Sequence, residues 1–113
     1  DCGGMPIAPT GALTSPGFRG QYPSNLDCIW LIHLPKKQVQ LSFTDFNTQQ
    51  SYDRVEIFRG PKSTDKRDVN LSGLILPDGF FVTHEYMYVR FTSSAQNDRP
   101  YKGFRAEYKE YLY

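Results

Sequence analysis

Four groups of residues in this chain have the chemistry to act on a partner, a metal or a substrate. The first is the run of amides and hydroxyls "NTQQSYD" at 47–53, which ends on a single acid, Asp53, just ahead of "RVEIF". A lone carboxylate there is a metal-ligand candidate or a loop anchor. A short acid beside a Tyr at the start of a strand commonly accepts backbone N–H and hydroxyl bonds. The expectation is therefore that Asp53 organises the surrounding loop rather than performing catalysis. The second group is the two histidines. His33 falls on the outward side of an alternating segment, and His84 sits in an apparent polar turn beside Glu85. A triad needs nucleophile, base and orienting acid together. No G-x-S-x-G and no cysteine beside a histidine occurs, so no enzyme is expected. Two histidines also fall short of the three protein ligands zinc usually takes.

The third group is basic: Arg59, Lys62, Lys66 and Arg67 in "RGPKSTDKRD", extended by Lys36 and Lys37. Such a cluster suits heparin or another anionic glycan. The interleaved Asp65 and Asp68 weaken its field, and exposed charges are screened beyond about 8 Å at physiological salt. A solvated hairpin turn is the preferred reading. The fourth is the acceptor sequence "NLS", which makes Asn70 a candidate for N-glycosylation.

These residues need a frame. The chain has 113 residues, which suggests one domain over 1–113. A net charge of +1 gives no basic field for nucleic acid. No apolar run reaches the roughly 20 residues that cross a bilayer, so no direct membrane insertion is expected in this segment. Eight Tyr and eight Phe favour pleated, half-buried surfaces. Apolar residues alternate in "CIWLIHL", "VQLSFTDF", "RVEIF", "MYVRF" and "FRAEY". Each is the pattern of an antiparallel strand with one wet face. A further short strand is expected at 11–15. "LPKKQ", "RGPKSTDKRD", "LPDG" and "NDRPYKG" read as turns between strands. The fold expected is all-β, a two-sheet antiparallel sandwich. Trp30, Phe43, Phe91 and Phe104 belong in its core. Tyr101, Tyr111, Tyr113, Phe80 and Phe81 are divided between interface and edge cover. Two cysteines, Cys2 and Cys28, are compatible with one disulfide but do not by themselves fix the compartment. A bridge between them would stabilise by about 3 kcal/mol.

The ordered set "CGG" at 2–4, Gly11, "SPGF", Tyr22-Pro23, Cys28-x-Trp30, "LSFTDF", "YDRVEIFRG", "YVRFTSS" and "GFRAEY" resembles the CUB domain. The resemblance covers essentially the whole chain. It implies a jelly-roll-like β-sandwich of secreted or cell-surface proteins, with Cys2 and Cys28 joined as the family's first disulfide. The family's common second disulfide has no cysteines here. In calcium-binding members the resemblance places ligands at a Glu, at the Asp of "YD", and at the Asp of "F-x-S-D". In this chain those positions are Gln49, Asp53 and Ser94. Asn97 and Tyr22 take the supporting places, and Asp45 or Asp98 would have to swing in. Calcium affinity rises with the number of carboxylates, so no resident cofactor is expected. The resemblance points to a non-catalytic extracellular module binding another protein through loops at one end, with Gln49, Tyr52, Asp53, Ser94, Asn97, Arg99 and Tyr101 as contact candidates. A glycan-binding, spermadhesin-like single domain is the alternative. The opening "DCGG" shows no leader, and the segment is expected to belong to a larger receptor or secreted protein.

Overall fold

The computed structural model describes residues 2–6, 8–18, 20, 22–49, 52–60, 67–74, 76, 79–95 and 101–111, with backbone only for 67–69. Six strands form among the described residues: β1 (Gly11–Thr14), β2 (Asp27–Asn47), β3 (Arg54–Phe58), β4 (Arg67–Leu71), β5 (Phe81–Thr92) and β6 (Gly103–Glu110). Their order is β1-β6-β2-β5-β3-β4, every neighbour antiparallel.

Two layers arise because β2 bends. Its first arm, 27–33, pairs with β5 at 86–92, and its second arm pairs with both β5 and β6. The register slips between His33 and Gln38, where Lys36 has φ 64° and Glu85 opposite it has φ 68°. "LPKKQ" is therefore a bulge inside one 21-residue strand, not the expected turn between two strands. The reason is that β5 offers a partner to both arms, so the chain kinks and continues along it. Pro35, which has no N–H to donate, sits inside the interruption. Strands that pass between sheets in this way make the corners of a sandwich. The three extra residues of β2 here, 34–37 against Glu85 alone, also shift the parity. Cys28, Trp30, Ile32 and Leu34 face inward before the bend, and Val39, Leu41 and Phe43 after it.

The layers meet through aromatic rings. Phe104 of β6 stands edge-on to Trp30 and Phe91, with centroids 5.7 and 5.2 Å apart, although β6 is not hydrogen-bonded to those segments. Edge-to-face pairs of this kind add to the burial of area. All four expected core aromatics lie in this cluster. The Cys2–Cys28 disulfide is formed and ties the N-terminal segment to the start of β2. Gly4 then bridges Trp30, exchanging backbone bonds with Ile29 and Leu31.

The strand at β4 was not expected. Its first residues, Arg67 and Asp68, belong to the stretch read as a turn. A five-residue edge strand with charges is typical of sheet margins, and the alternation here is confined to Val69 and Leu71, too short a signal to detect. His84 likewise lies within β5, opposite Gln38, rather than in a turn.

Candidate functional site

At the end of the sandwich where β2 leaves and β3 begins, four loops are tied together around Asp53. Asp53 is fully buried. Its Oδ2 accepts a short bond from the Tyr22 hydroxyl, and its Oδ1 accepts the Ser94 N–H at 2.7 Å. The Tyr22 oxygen in turn accepts the Gln49 N–H at 3.2 Å. The N–H groups of Tyr52 and Asp53 both point to the Gln49 carbonyl, at 3.3 and 3.0 Å, closing a tight turn. Ser72 bridges the same pieces, its hydroxyl directed at the carbonyls of Asp53 (2.8 Å) and Gln49 (3.2 Å). Thr48 and Gly73 exchange two further bonds, each 2.9 Å.

Tyr22 reaches this knot because its loop is pinned. Ser93 Oγ donates to the Pro23 carbonyl and accepts the Leu26 N–H, both at 2.8 Å. Asn25, with φ 59°, donates its N–H to the Ser94 carbonyl. The Tyr22 ring packs edge-on to Phe91 at 5.1 Å. Gly103 makes room beside it: a Cβ there would fall 1.8 Å from Ser15 Oγ and 3.4 Å from the Tyr22 ring, and its φ is +90°. Burial, and then the bond to the Asp53 carboxylate, push the Tyr22 hydroxyl well above its ordinary range of ionisation.

The structure thus brings Tyr22, Gln49, Asp53 and Ser94 together. Ser94 Oγ and Gln49 Oε1 lie 3.5 Å apart. Asp45 does not join them. It accepts a bond from Thr44 at 2.9 Å and lines a separate hollow with Phe18, Phe46, Asn47, Lys102 and Gly103. Asn97 and Arg99 lie outside the described residues. Tyr101 packs partly buried against the core. Asp53, being buried, can serve a partner only by holding the loops. Calcium takes six to eight oxygen ligands including carboxylates. This donor set fits it poorly, because both Asp53 oxygens already accept protein hydrogens and Gln49 and Ser94 supply only neutral oxygens. Among the described residues no three His, Cys, Asp or Glu gather into a metal cluster.

Two apolar side chains stay outside the knot. Tyr52 is 62% exposed and Leu74, next to Gly73 on the loop bonded to Thr48, is 63% exposed. Tyr52 was a contact candidate from the sequence. Leu74 was not, since nothing in "SGLIL" announces that one leucine stays in water.

The basic candidates among the described residues sit at the other end of the first layer. Arg59 follows β3 there, and the Lys36–Lys37 bend lies at the same end by strand direction. Lys37 is 3.6 Å from Glu110. Lys62 and Lys66 lie outside the described residues, as does the side chain of Arg67. His33 stacks on Tyr86 at 4.1 Å, with Nε2 3.4 Å from Glu85. Phe80 and Tyr111 are neighbours, centroids 5.6 Å apart, and Phe81 packs against the core. Tyr113 lies outside the described residues.

A six-stranded antiparallel sandwich with one disulfide at its mouth and a buried Tyr–Asp pair at one end has a family. The chain belongs to the CUB domain family, whose model matches residues 2–108. CUB domains are protein-interaction modules of extracellular proteins. The chain is 37% identical over 106 residues to mouse tolloid-like protein 1 and 35% identical over 111 residues to pig cubilin. These matches cover 88% and 96% of this chain but only 10% and 3% of those proteins. The CUB1-EGF-CUB2 domains of rat MASP-1 superpose with a TM-score of 0.86 at 26% identity, over 96% of this chain and 42% of that one. The MASP-1 CUB2 domain bound to Ca2+ superposes at 0.82 over 96% of this chain and 99% of that one, at 24% identity, which shows the fold alone.

Proposed function

We propose that this domain is a non-catalytic recognition module of an extracellular protein, binding another protein through the loops around the Asp53 knot without calcium. The observation that carries this reading is the pairing of a closed, buried hydrogen-bond network with two exposed apolar side chains, Tyr52 and Leu74, on the loops it fixes. Preset loops lose little conformational entropy on contact, and an exposed Tyr on a rigid base is a typical interface anchor. Gln49 and Ser94, both half-buried, border the same surface, and Asn97, Arg99 and Tyr101 are the remaining proposed contacts. In this reading Asp53 and Tyr22 position and do not touch. The domain is one part of a larger secreted or membrane-anchored protein.

An array of secreted and cell-surface ectodomains, probed with the multimerised domain, tests it. Binding to a protein should persist in chelator and fall about tenfold with Tyr52→Ala. Loss of binding in chelator, or micromolar calcium binding by calorimetry, contradicts the calcium-free mode. A second reading, recognition of an anionic glycan, draws on the placement of Arg59 with the Lys36–Lys37 bend at the opposite end. Glycan-array binding with no protein hit would favour it.

A further inference from the structure

β4 is the last strand of the sheet order, so among the described residues no strand pairs with its outer side. Asn70 lies within this strand, opposite Glu56 of β3. Its neighbours Val69 and Leu71 pair with the buried Ile57 and Val55, so alternation sends Asn70 to the outward face, where it is exposed. Asn70-Leu71-Ser72 is an acceptor for N-linked glycosylation. The Cys2–Cys28 disulfide fits the oxidising secretory route in which that transfer takes place.

We propose that Asn70 carries an N-linked oligosaccharide that closes the β4 margin and the outward face of the first layer to pairing with a second copy of this chain. In the transfer, Asn70 Nδ2 attacks C1 of the first sugar of a polyprenyl-pyrophosphate-linked oligosaccharide. The N–C1 bond forms, the bond from C1 to the phosphate oxygen breaks, an amide proton goes to the transferase, and the lipid pyrophosphate leaves. No oxidation or reduction occurs. The folded geometry sets the timing. The Ser72 hydroxyl is directed at the carbonyls of Asp53 and Gln49, so the transferase must read this acceptor before Ser72 closes on the knot.

The sugar lies where the sheet needs cover. A short strand with unpaired backbone groups is a template for pairing with another chain. Across the outward face the row Asn70, Glu56, Arg90 and Ile29 runs from that margin over three strand spacings, about 14 Å. Ile29, 37% exposed, is at its far end. A bulky, hydrated glycan rooted at Asn70 hinders both strand addition and stacking on that row.

The test uses protein secreted from eukaryotic cells. Digestion with peptide-N-glycosidase should shift the mass of the wild type and of Ser72→Thr, and leave Asn70→Gln unchanged. Ser72→Thr retains the acceptor and a hydroxyl for the knot, while Asn70→Gln removes the acceptor at an exposed position without adding charge. Sedimentation velocity should show glycosylated protein as a monomer, and Asn70→Gln self-associating at a concentration at least tenfold lower. A wild type with no glycosidase-sensitive mass overturns the site. Equal self-association of the two forms overturns the masking role.

Discussion

Replacing Tyr22 with Phe removes one oxygen from the knot and leaves the ring on Phe91. That oxygen donates to the buried Asp53 carboxylate and accepts the Gln49 N–H. Hydrogen bonds to charged groups are worth about 1.5–3 kcal/mol, and a buried group left short of a partner costs the upper part of such a range. The half-buried Gln49 N–H recovers some of its loss from water. The expected loss is about 2–3 kcal/mol, or about 8–12 °C in Tm for a domain of this size. Tyr108→Phe is the internal reference, because its hydroxyl donates to the neutral Ala8 carbonyl at 2.9 Å. It should cost about 1 kcal/mol, or about 4 °C. Urea unfolding of both variants, with m unchanged, measures the difference. A pH series adds a second check. The Tyr22 hydroxyl ionises above its ordinary value of 10.0 in the folded state. Its contribution is therefore complete below that value and fades as pH climbs toward the folded one. Tyr22→Phe should flatten the alkaline loss of stability. Equal costs for the two tyrosines, or an alkaline limb unchanged by Tyr22→Phe, would refute the view that Asp53 and Tyr22 hold this end of the domain.

Replacing Cys2 and Cys28 together by Ser opens a bridge spanning 26 positions; loop-closure entropy predicts a loss of about 3.5 kcal/mol, read from urea midpoints with and without reductant. The bidentate Arg90–Asp27 pair, 2.8 Å on each arm, holds Asp27 below its ordinary carboxylate value against the opposing effect of burial. A depressed carboxylate contributes above its unfolded value, 3.8 here, and the contribution vanishes as pH falls through the folded value. With Asp27 half exposed, Asp27→Asn should cost only about 0.5 kcal/mol at pH 7 and nothing at strongly acid pH. Phe104→Ala should cost about 3–5 kcal/mol, since its ring joins the two layers; a loss under 1 kcal/mol would show that the layers do not depend on it. Heparin-column retention that falls steeply with salt and drops on charge reversal at Lys62 and Lys66 would support the glycan reading, and retention unaffected by that reversal would end it.

The strands that carry alternation were legible before any coordinates, because a half-buried ribbon writes its two faces into the sequence. "CIWLIHL", "VQLSFTDF" and "FRAEY" all bury the residues their period marks. Chain reversal was harder to read. Pro-Lys-Lys looks the same in a turn as in a bulge, and only the long strand β5 running beside both arms decides between them. β4 escaped notice because only Val69 and Leu71 alternate in it and its first two residues continue a charged, turn-like stretch. At the site, Asp53 was found as a lone acid near a Tyr, but its saturation depends on Tyr22 and Ser94, 31 and 41 residues away. Which polar partner meets it is a property of packing. The exposure of Leu74 is invisible for the same reason, since a leucine carries no local signal of which loop lies beneath it.

The kink at residues 34–37 also fixes an arithmetic on the chain. The inward positions are even up to Leu34 and odd from Val39 on, so this corner already breaks the alternation. Removing a single residue there would bring both arms onto one uninterrupted alternation with Val39, Leu41 and Phe43 still inward, whereas removing two would leave the break in place. Length changes of two therefore keep the corner, and a change of one would let the strand run straight through.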